Sequence, residues 1–181
     1  MKITNKPPRF QKDNSAYFLT FCTYQRATVL HEPNVPQMLI DNLRFYTARL
    51  RDLIAYTLMP DHIHLIVEIE KVKTLSDFLR DFKKRTSRNI RTLASPESRY
   101  IWQRGTRDHF IRPCNSQRDF DNHIRYIFSN CWKHLHIPPR EFPYHNLEEA
   151  IARGFIPGNV FPDDSYDSST IPRSDDRTAH Q

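Results

Sequence analysis

Two runs rich in β-branched and aromatic residues, Leu53–Met59 and His62–Ile69, are separated only by Pro60-Asp61. So short a connection folds the runs back on each other as an antiparallel hairpin. Side chains of the second run then alternate across the sheet with a two-residue period. His62 and His64 project from one face, while Ile63, Leu65, Val67 and Ile69 project from the other. A sheet with one apolar face must be covered on that face, so helices are required elsewhere in the chain.

The flanking sequence supplies them. Ala16–Tyr24 reads as a strand. Pro33–Leu50 sets Val35, Met38, Leu39, Leu43, Tyr46 and Leu50 at helical spacing. Thr74–Leu93 is a second helix, with Leu75, Phe78, Leu79 and Phe82 inward and Arg80, Lys83, Lys84, Arg85, Arg88 and Arg91 outward. Arg107–Arg112 forms a fourth strand and Ser116–Leu135 a third helix. This order is a split βαβ arrangement, an α+β sandwich in which an antiparallel sheet carries helices on one face and leaves the other for a substrate.

The charge balance narrows the partner class. The chain has 27 Lys+Arg against 21 Asp+Glu, a net charge of +6. Asp163, Asp164, Asp167, Asp175 and Asp176 crowd the last stretch, so the folded part is more basic than the total. A basic surface favours nucleic acid through counterion release, although a solvated basic surface would look the same. No apolar run approaches the roughly 20 residues of a membrane span, and the first residues lack a signal-peptide core. The expectation is a cytoplasmic protein, associated with the nucleoid when bound to DNA. Cys22, Cys114 and Cys131 form no CxxC pair and read as bystander thiols.

The histidine pair acquires a chemistry from the third helix. Two imidazoles on alternate strand positions can hold a divalent ion, but two surface histidines on a half-buried strand produce the same pattern. On the third helix, Phe120, Ile124, Ile127, Phe128, Cys131 and Leu135 form one apolar stripe. Tyr126 falls off that stripe, and Asn130 follows one turn later on the same flank. Asn130 could complete a metal site with His62 and His64, while Tyr126 aims its hydroxyl at a phosphate polarised by the ion. A phenol of pKa near 10 needs activation before it can attack. Its product would be a 5′-phosphotyrosine with a free 3′-OH. Glu68 shares the parity of the histidines and is a possible further ligand or base.

Several ordered segments resemble one family. His62-Ile63-His64 after Met59-Pro60-Asp61 resembles the HUH motif of single-tyrosine transposases. Tyr17 to Arg26, Ile101-Trp102-Gln103-Arg104, Asp108 to Arg112 and Phe120 to Asn130 make the set most similar to REP-associated tyrosine transposases. The resemblance spans about residues 15 to 136. It implies a ferredoxin-like fold, a Mg²⁺ or Mn²⁺ ion, and single-stranded or hairpin DNA substrates from short palindromic repeats. It also implies Tyr126 as nucleophile on the third helix and His62, His64 and Asn130 as metal ligands. The family usually continues Asn-Pro-Val-Lys-His-Gly, where this chain reads Asn130-Cys131-Trp132-Lys133-His134-Leu135. The expected organisation is a HUH catalytic domain over 1–137, an extension over 138–162 and a disordered acidic tail over 163–181.

Single-stranded DNA is held by cationic grooves and aromatic stacking. Arg80, Lys83, Lys84 and Arg88 on the second helix, and Arg99, Trp102, Arg104 and Arg107 before or on the fourth strand, are the candidates for DNA binding. Trp102 between arginines is the candidate base-stacking residue; Lys6, Arg9 and Lys12 could also reach a backbone. The expected partners are DNA and, at most, a second copy, without a membrane or a small-molecule substrate. Two other readings stay open: a non-catalytic nucleic-acid-binding module on the same sheet, and a metal-dependent phosphohydrolase that uses water.

Overall fold

The computed structural model describes residues 12–111 and 116–161. Lys6, Arg9, Arg112, Cys114 and the tail from 163 onward lie outside the described residues. Four strands, β1 (Ser15–Cys22), β2 (Asp52–Leu58), β3 (His62–Ile69) and β4 (Arg107–Phe110), form one antiparallel sheet in the order β2-β3-β1-β4. The hairpin across Pro60-Asp61 is β2–β3, as predicted. β1 inserts between β3 and β4, pairing with β3 from Ser15↔Ile69 to Cys22↔His62. β1 ends two residues earlier than its sequence pattern suggests, because Gln25 and Arg26 adopt left-handed backbone (φ 53° and 58°) and turn the chain.

Strand alternation divides the side chains into two sets. Tyr17, Leu19 and Phe21 of β1 join Ile63, Leu65, Val67 and Ile69 of β3 on one face. Against them pack α1 (Val35–Thr47), through Leu39 and Leu43, and α2 (Val72–Ala94), through Leu75, Phe78, Phe82 and Ile90. Both helices lie on the apolar face that the hairpin pattern called for. The strand order with these two crossover helices is the predicted α+β sandwich of ferredoxin-like topology.

The second face is only partly open. α3 (Ser116–Leu135) crosses it, and its stripe Ile124, Ile127 and Phe128 packs on Ile54, Ala55 and Ile66. Leu147 and Ala150 of a short helix, α4 (Leu147–Ala152), join the same cluster. Residues 138–161 thus pack against the domain rather than trailing from it. None of the helices among the described residues is long and apolar enough to cross a membrane.

The outer edge of β2 would otherwise expose unpaired backbone groups. Register shifts between Leu53 and Ala55, and there the Asn146 side chain does the pairing. Its Oδ1 accepts from the Tyr56 N–H at 2.8 Å and its Nδ2 donates to the Ile54 carbonyl at 3.2 Å. Two residues further along, the Leu58 N–H donates to the Tyr144 carbonyl. Asn146→Ala leaves a buried donor and a buried acceptor without partners, at about 1–3 kcal/mol each when water cannot reach them. The variant should lower the urea midpoint by an amount equivalent to roughly 2–4 kcal/mol with an unchanged m-value.

His31 and His145 make the fold sensitive to acid. Burial lowers the pKa of each below the ordinary histidine value. His31 Nε2–H donates to the Leu58 carbonyl at 2.8 Å, so the ring sits neutral in place. The unfolded chain binds protons near pH 6.5 while the folded chain resists them. Stability is therefore full above about pH 6.5 and declines as pH falls toward the depressed folded values. Urea titrations between neutral and mildly acidic pH should show that decline, with a shallower slope in His31→Gln; equal slopes would remove His31 from the effect.

Candidate functional site

Strand parity aims two imidazoles at α3. His62 and His64 are buried on the face opposite Ile63 and Leu65, with ring centroids 4.6 Å apart. Their outer ring nitrogens are taken up by the protein. His62 Nδ1 lies 2.6 Å from Asp61 Oδ1; a carboxylate only accepts, so Nδ1 donates, and Nε2 is the nitrogen that the neutral tautomer would offer to a metal. His64 Nδ1 lies 2.9 Å from Thr20 Oγ1, directly across the ladder at Thr20↔His64. The tautomer that donates from Nδ1 to Thr20 likewise leaves Nε2 able to ligate. Such outer bonds are what orient metal-binding histidines.

The surroundings keep the site electrically poised. Burial, reinforced by the nearby His62 and His134, pushes the His64 pKa well below its ordinary value, so the ring is neutral. Burial would raise the Asp61 carboxyl, yet its hydrogen bond and charge interaction with His62, together with Arg26, hold it below the ordinary carboxylate value. Arg26 Nη1 reaches Asp61 Oδ2 at 3.1 Å, helped into place by the left-handed turn at Gln25 and Arg26. Phe18 stacks on His64 at 5.2 Å.

α3 delivers its own row. Tyr126 meets His64 edge to face at 5.2 Å, and His134 meets His62 at 6.1 Å. Residues four apart on a helix lie one above the other. Asn130 lies between Tyr126 and His134 on that helical row. Asn130 is 1% exposed; its Nδ2 donates to the Tyr126 carbonyl at 2.6 Å. Its Oδ1 is buried with no hydrogen-bond partner. An orphaned carbonyl oxygen costs about 1–3 kcal/mol; beside two imidazoles with available lone pairs, that oxygen fits a divalent ion. The donor set His62, His64 and Asn130 thus fits the group expected from the sequence. Lys133 Nζ lies 5.7 Å from the Tyr126 ring centroid.

Other expected site residues fall elsewhere. Glu68 has the right parity, but it lies four residues along β3 from His64, roughly 13 Å at the usual strand rise, and pairs with Arg51 at 3.6 Å. It does not join the histidines. Trp102 is 9% exposed and packs against Phe21 and Phe82. Its indole N–H donates to Thr86 Oγ1 at 3.0 Å. A base cannot stack on it; burying the large ring in the core outweighs the polar neighbours that suggested exposure. Tyr100 is the exposed aromatic of that loop, at 60%, with its ring 5.4 Å from Tyr24.

The cations divide by face. α2 covers the face opposite Tyr126, so Arg80, Lys84 and Arg88 point away from the histidine pair. Arg80 is engaged by Asp77 and Asp81. Lys83 straps the loop by donating to the Gln103 and Gly105 carbonyls. Arg99 accepts from Arg91 through its carbonyl, and Arg104 sits exposed in the same loop. Arg107 is the exception. It is exposed on β4 opposite Thr20, on the face that carries the histidines. Sequence reasoning missed Arg26, Lys133 and His134 as site neighbours. His134 alone had a legible signal, two turns beyond Tyr126 on one helical row.

The two described cysteines are inert here. Cys22 and Cys131 are free and buried, and burial pushes the Cys131 thiol up to about 12.

No curated protein matches the chain in sequence. Among solved structures, the fold is similar to that of a REP-associated tyrosine transposase bound to a REP hairpin, with a TM-score of 0.70 and 22% identity over 94% of this chain and 99% of that one. A protein of Deinococcus radiodurans R1 described as a candidate transposase is 21% identical, covering 62% of this chain and 91% of its own, with a TM-score of 0.48. Residues 11–130, from just before β1 to Asn130 on α3, match the family described as transposase IS200 like. The chain belongs to the IS200-like transposase family.

Proposed function

We propose that this protein is a metal-dependent nuclease and strand transferase that cuts single-stranded or hairpin DNA through Tyr126. The observation that carries the reading is that Tyr126 meets His64 and His134 meets His62 from one helical row, on which Asn130 lies between them with its oxygen buried and unpartnered. Membership of a transposase family supplies the substrate class. The palindromic-repeat hairpin is proposed from the likeness to the structure that holds one.

A Mg²⁺ or Mn²⁺ ion held by His62, His64 and Asn130 would supply Lewis-acid polarisation of a phosphate oxygen. The chain does the rest. Tyr126 gives up its phenolic proton and its Oη attacks phosphorus. The P–O3′ bond breaks, its electron pair leaves on O3′, and O3′ takes a proton. The result is a 5′-phosphotyrosine and a free 3′-OH, and because one ester replaces another, rejoining needs no nucleotide cofactor. Lys133, beside the Tyr126 ring, meets the negative charge that develops there. Arg26 and Arg107 border the same face and are the cations proposed to hold the DNA backbone.

The water-using hydrolase is disfavoured by the carboxylates. Asp61 is occupied by His62 through one oxygen and by Arg26 through the other, and Glu68 sits at the far end of its strand. Purified protein with Mn²⁺ and labelled hairpin DNA should form a denaturant-resistant adduct. EDTA should abolish it, and Tyr126→Phe should reduce it by at least about 10³-fold, on the scale of lost nucleophiles elsewhere. Cleavage that persists in Tyr126→Phe would favour water as nucleophile; hairpin binding without cleavage in any metal would favour a binding module.

Thr20 acts through His64 as a positioning residue. Thr20→Val removes the partner of Nδ1 and should weaken Mn²⁺ binding by about 10- to 100-fold. Adduct formation should recover as Mn²⁺ is raised in calorimetrically matched titrations. Unchanged Mn²⁺ affinity would take Thr20 out of the site.

A further inference from the structure

A second set of metal-type donors stands on the far side of Phe18. His109 Nε2 lies 3.3 Å from Asp119 Oδ2, and His123 Nδ1 lies 3.3 Å from Asp119 Oδ1. One ligand atom from each residue falls within 4.8 Å of the others. The His109 and His123 rings stack at 4.7 Å, so both present their edges to one carboxylate. A tetrahedral ion with bonds of about 2.0–2.1 Å to nitrogen or oxygen separates its ligands by roughly 3.3 Å. Each imidazole already stands at that spacing from one carboxylate oxygen of Asp119, and a shift of at most about 1.5 Å brings all three donors onto one ion.

The topology explains why three separate residues meet. Asp119 and His123 are one helical turn apart in the first half of α3, on one side. His109 stands on β4 opposite Phe18, and the Phe18 ring lies 4.8 Å from His123. That ring also meets His64 at 5.2 Å and Tyr126 at 5.9 Å. A phenyl ring therefore stands between this cluster and the His62–His64 pair, unlike two-metal centres, whose ions sit about 3.5–4 Å apart.

We infer that His109, Asp119 and His123 form a second divalent-metal site, which takes an imidazole-preferring ion of the Zn²⁺ type and ties edge strand β4 to the start of α3. Two imidazoles and one carboxylate select such an ion over Mg²⁺, which prefers an all-oxygen shell. Three protein ligands leave a fourth position for water. His123 Nδ1 also bonds the Asp119 carbonyl at 2.7 Å, and ligation through that nitrogen exchanges the bond for the ion. The ion fixes the helix that carries Tyr126, two turns further on, without touching the reacting atoms.

The full chain, stripped of metal, would be titrated with Zn²⁺ by equilibrium dialysis and by thermal melts, beside His64→Ala, His109→Ala and Asp119→Asn. Wild type and His64→Ala should both retain a Zn²⁺ ion and melt at higher temperature when it is added. Asp119→Asn, which keeps the shape of the carboxylate, and His109→Ala, at an exposed strand position, should each bind one equivalent fewer than wild type. Their loss of affinity should exceed the roughly 10- to 100-fold typical of a missing outer partner. The inference is overturned if both variants, folded by circular dichroism, bind as much Zn²⁺ as wild type, or if His64→Ala binds none. His64→Ala separates this result from the fate of the tyrosine-transferase reading, since it lacks the first site.

Discussion

The antiparallel ladder between β1 and β3 is the constraint on which the rest of the structure depends. It runs through eight residue pairs, from Ser15↔Ile69 to Cys22↔His62, at the centre of the sheet. Because side chains alternate with a period of two, a slip of one residue would exchange every inward and outward position. The apolar set Tyr17, Leu19, Phe21, Ile63, Leu65 and Val67 resists that exchange, since burying it under α1 and α2 is the main gain of the fold. The same register puts Thr20 opposite His64 and Cys22 opposite His62. Core packing on one face thereby sets the chemistry of the other.

That second face is polar at one end and apolar at the other, and α3 spans the difference. Toward the β2 side its Ile124, Ile127 and Phe128 are buried against Ile54, Ala55 and Ile66. Along its other flank it offers Asp119, His123, Tyr126, Asn130 and His134 to the sheet. Phe18 is the pivot between these groups, touching His64, His123 and Tyr126 at 5.2, 4.8 and 5.9 Å. A rigid aromatic floor of this kind holds side chains in place at little entropic cost, which is what a preorganised site requires. Among the described residues, packing leaves two buried oxygens on this face without a partner, Asn130 Oδ1 and Thr57 Oγ1, the latter across the ladder from His64.

Most of the element pattern was legible in the residues. The β2–β3 hairpin followed from the two-residue turn, and α3 from its apolar stripe; both have the bounds expected to within a residue. That His62 and His64 share one strand face, and Tyr126 and Asn130 one flank of α3, was legible too, because strand parity and helical rows are local rules. Local rules failed where burial was decided at long range. Trp102 sits among Gln103, Arg104 and Arg99, yet its ring is core, since Phe21 and Phe82 are brought to it by the sheet and α2. Glu68 matched the parity of the histidines, but parity is silent about distance along a strand.

The sequence by itself determined the periodicities: which residues share a strand face, which share a helical row, and that one sheet face needed covering. Those follow from the fixed geometry of each element and require nothing distant. Only the tertiary structure decided which elements meet. It laid α3 across the histidine face, turned the cations of α2 to the opposite side, and brought His109 on β4 to Asp119 and His123. It also set Asn146 against a strand more than 80 residues earlier, where it completes the backbone pairing of Tyr56 and Ile54. The physical reason is that such contacts depend on the burial of surfaces far apart in the chain, and no local repeat of residues encodes which surface will find which.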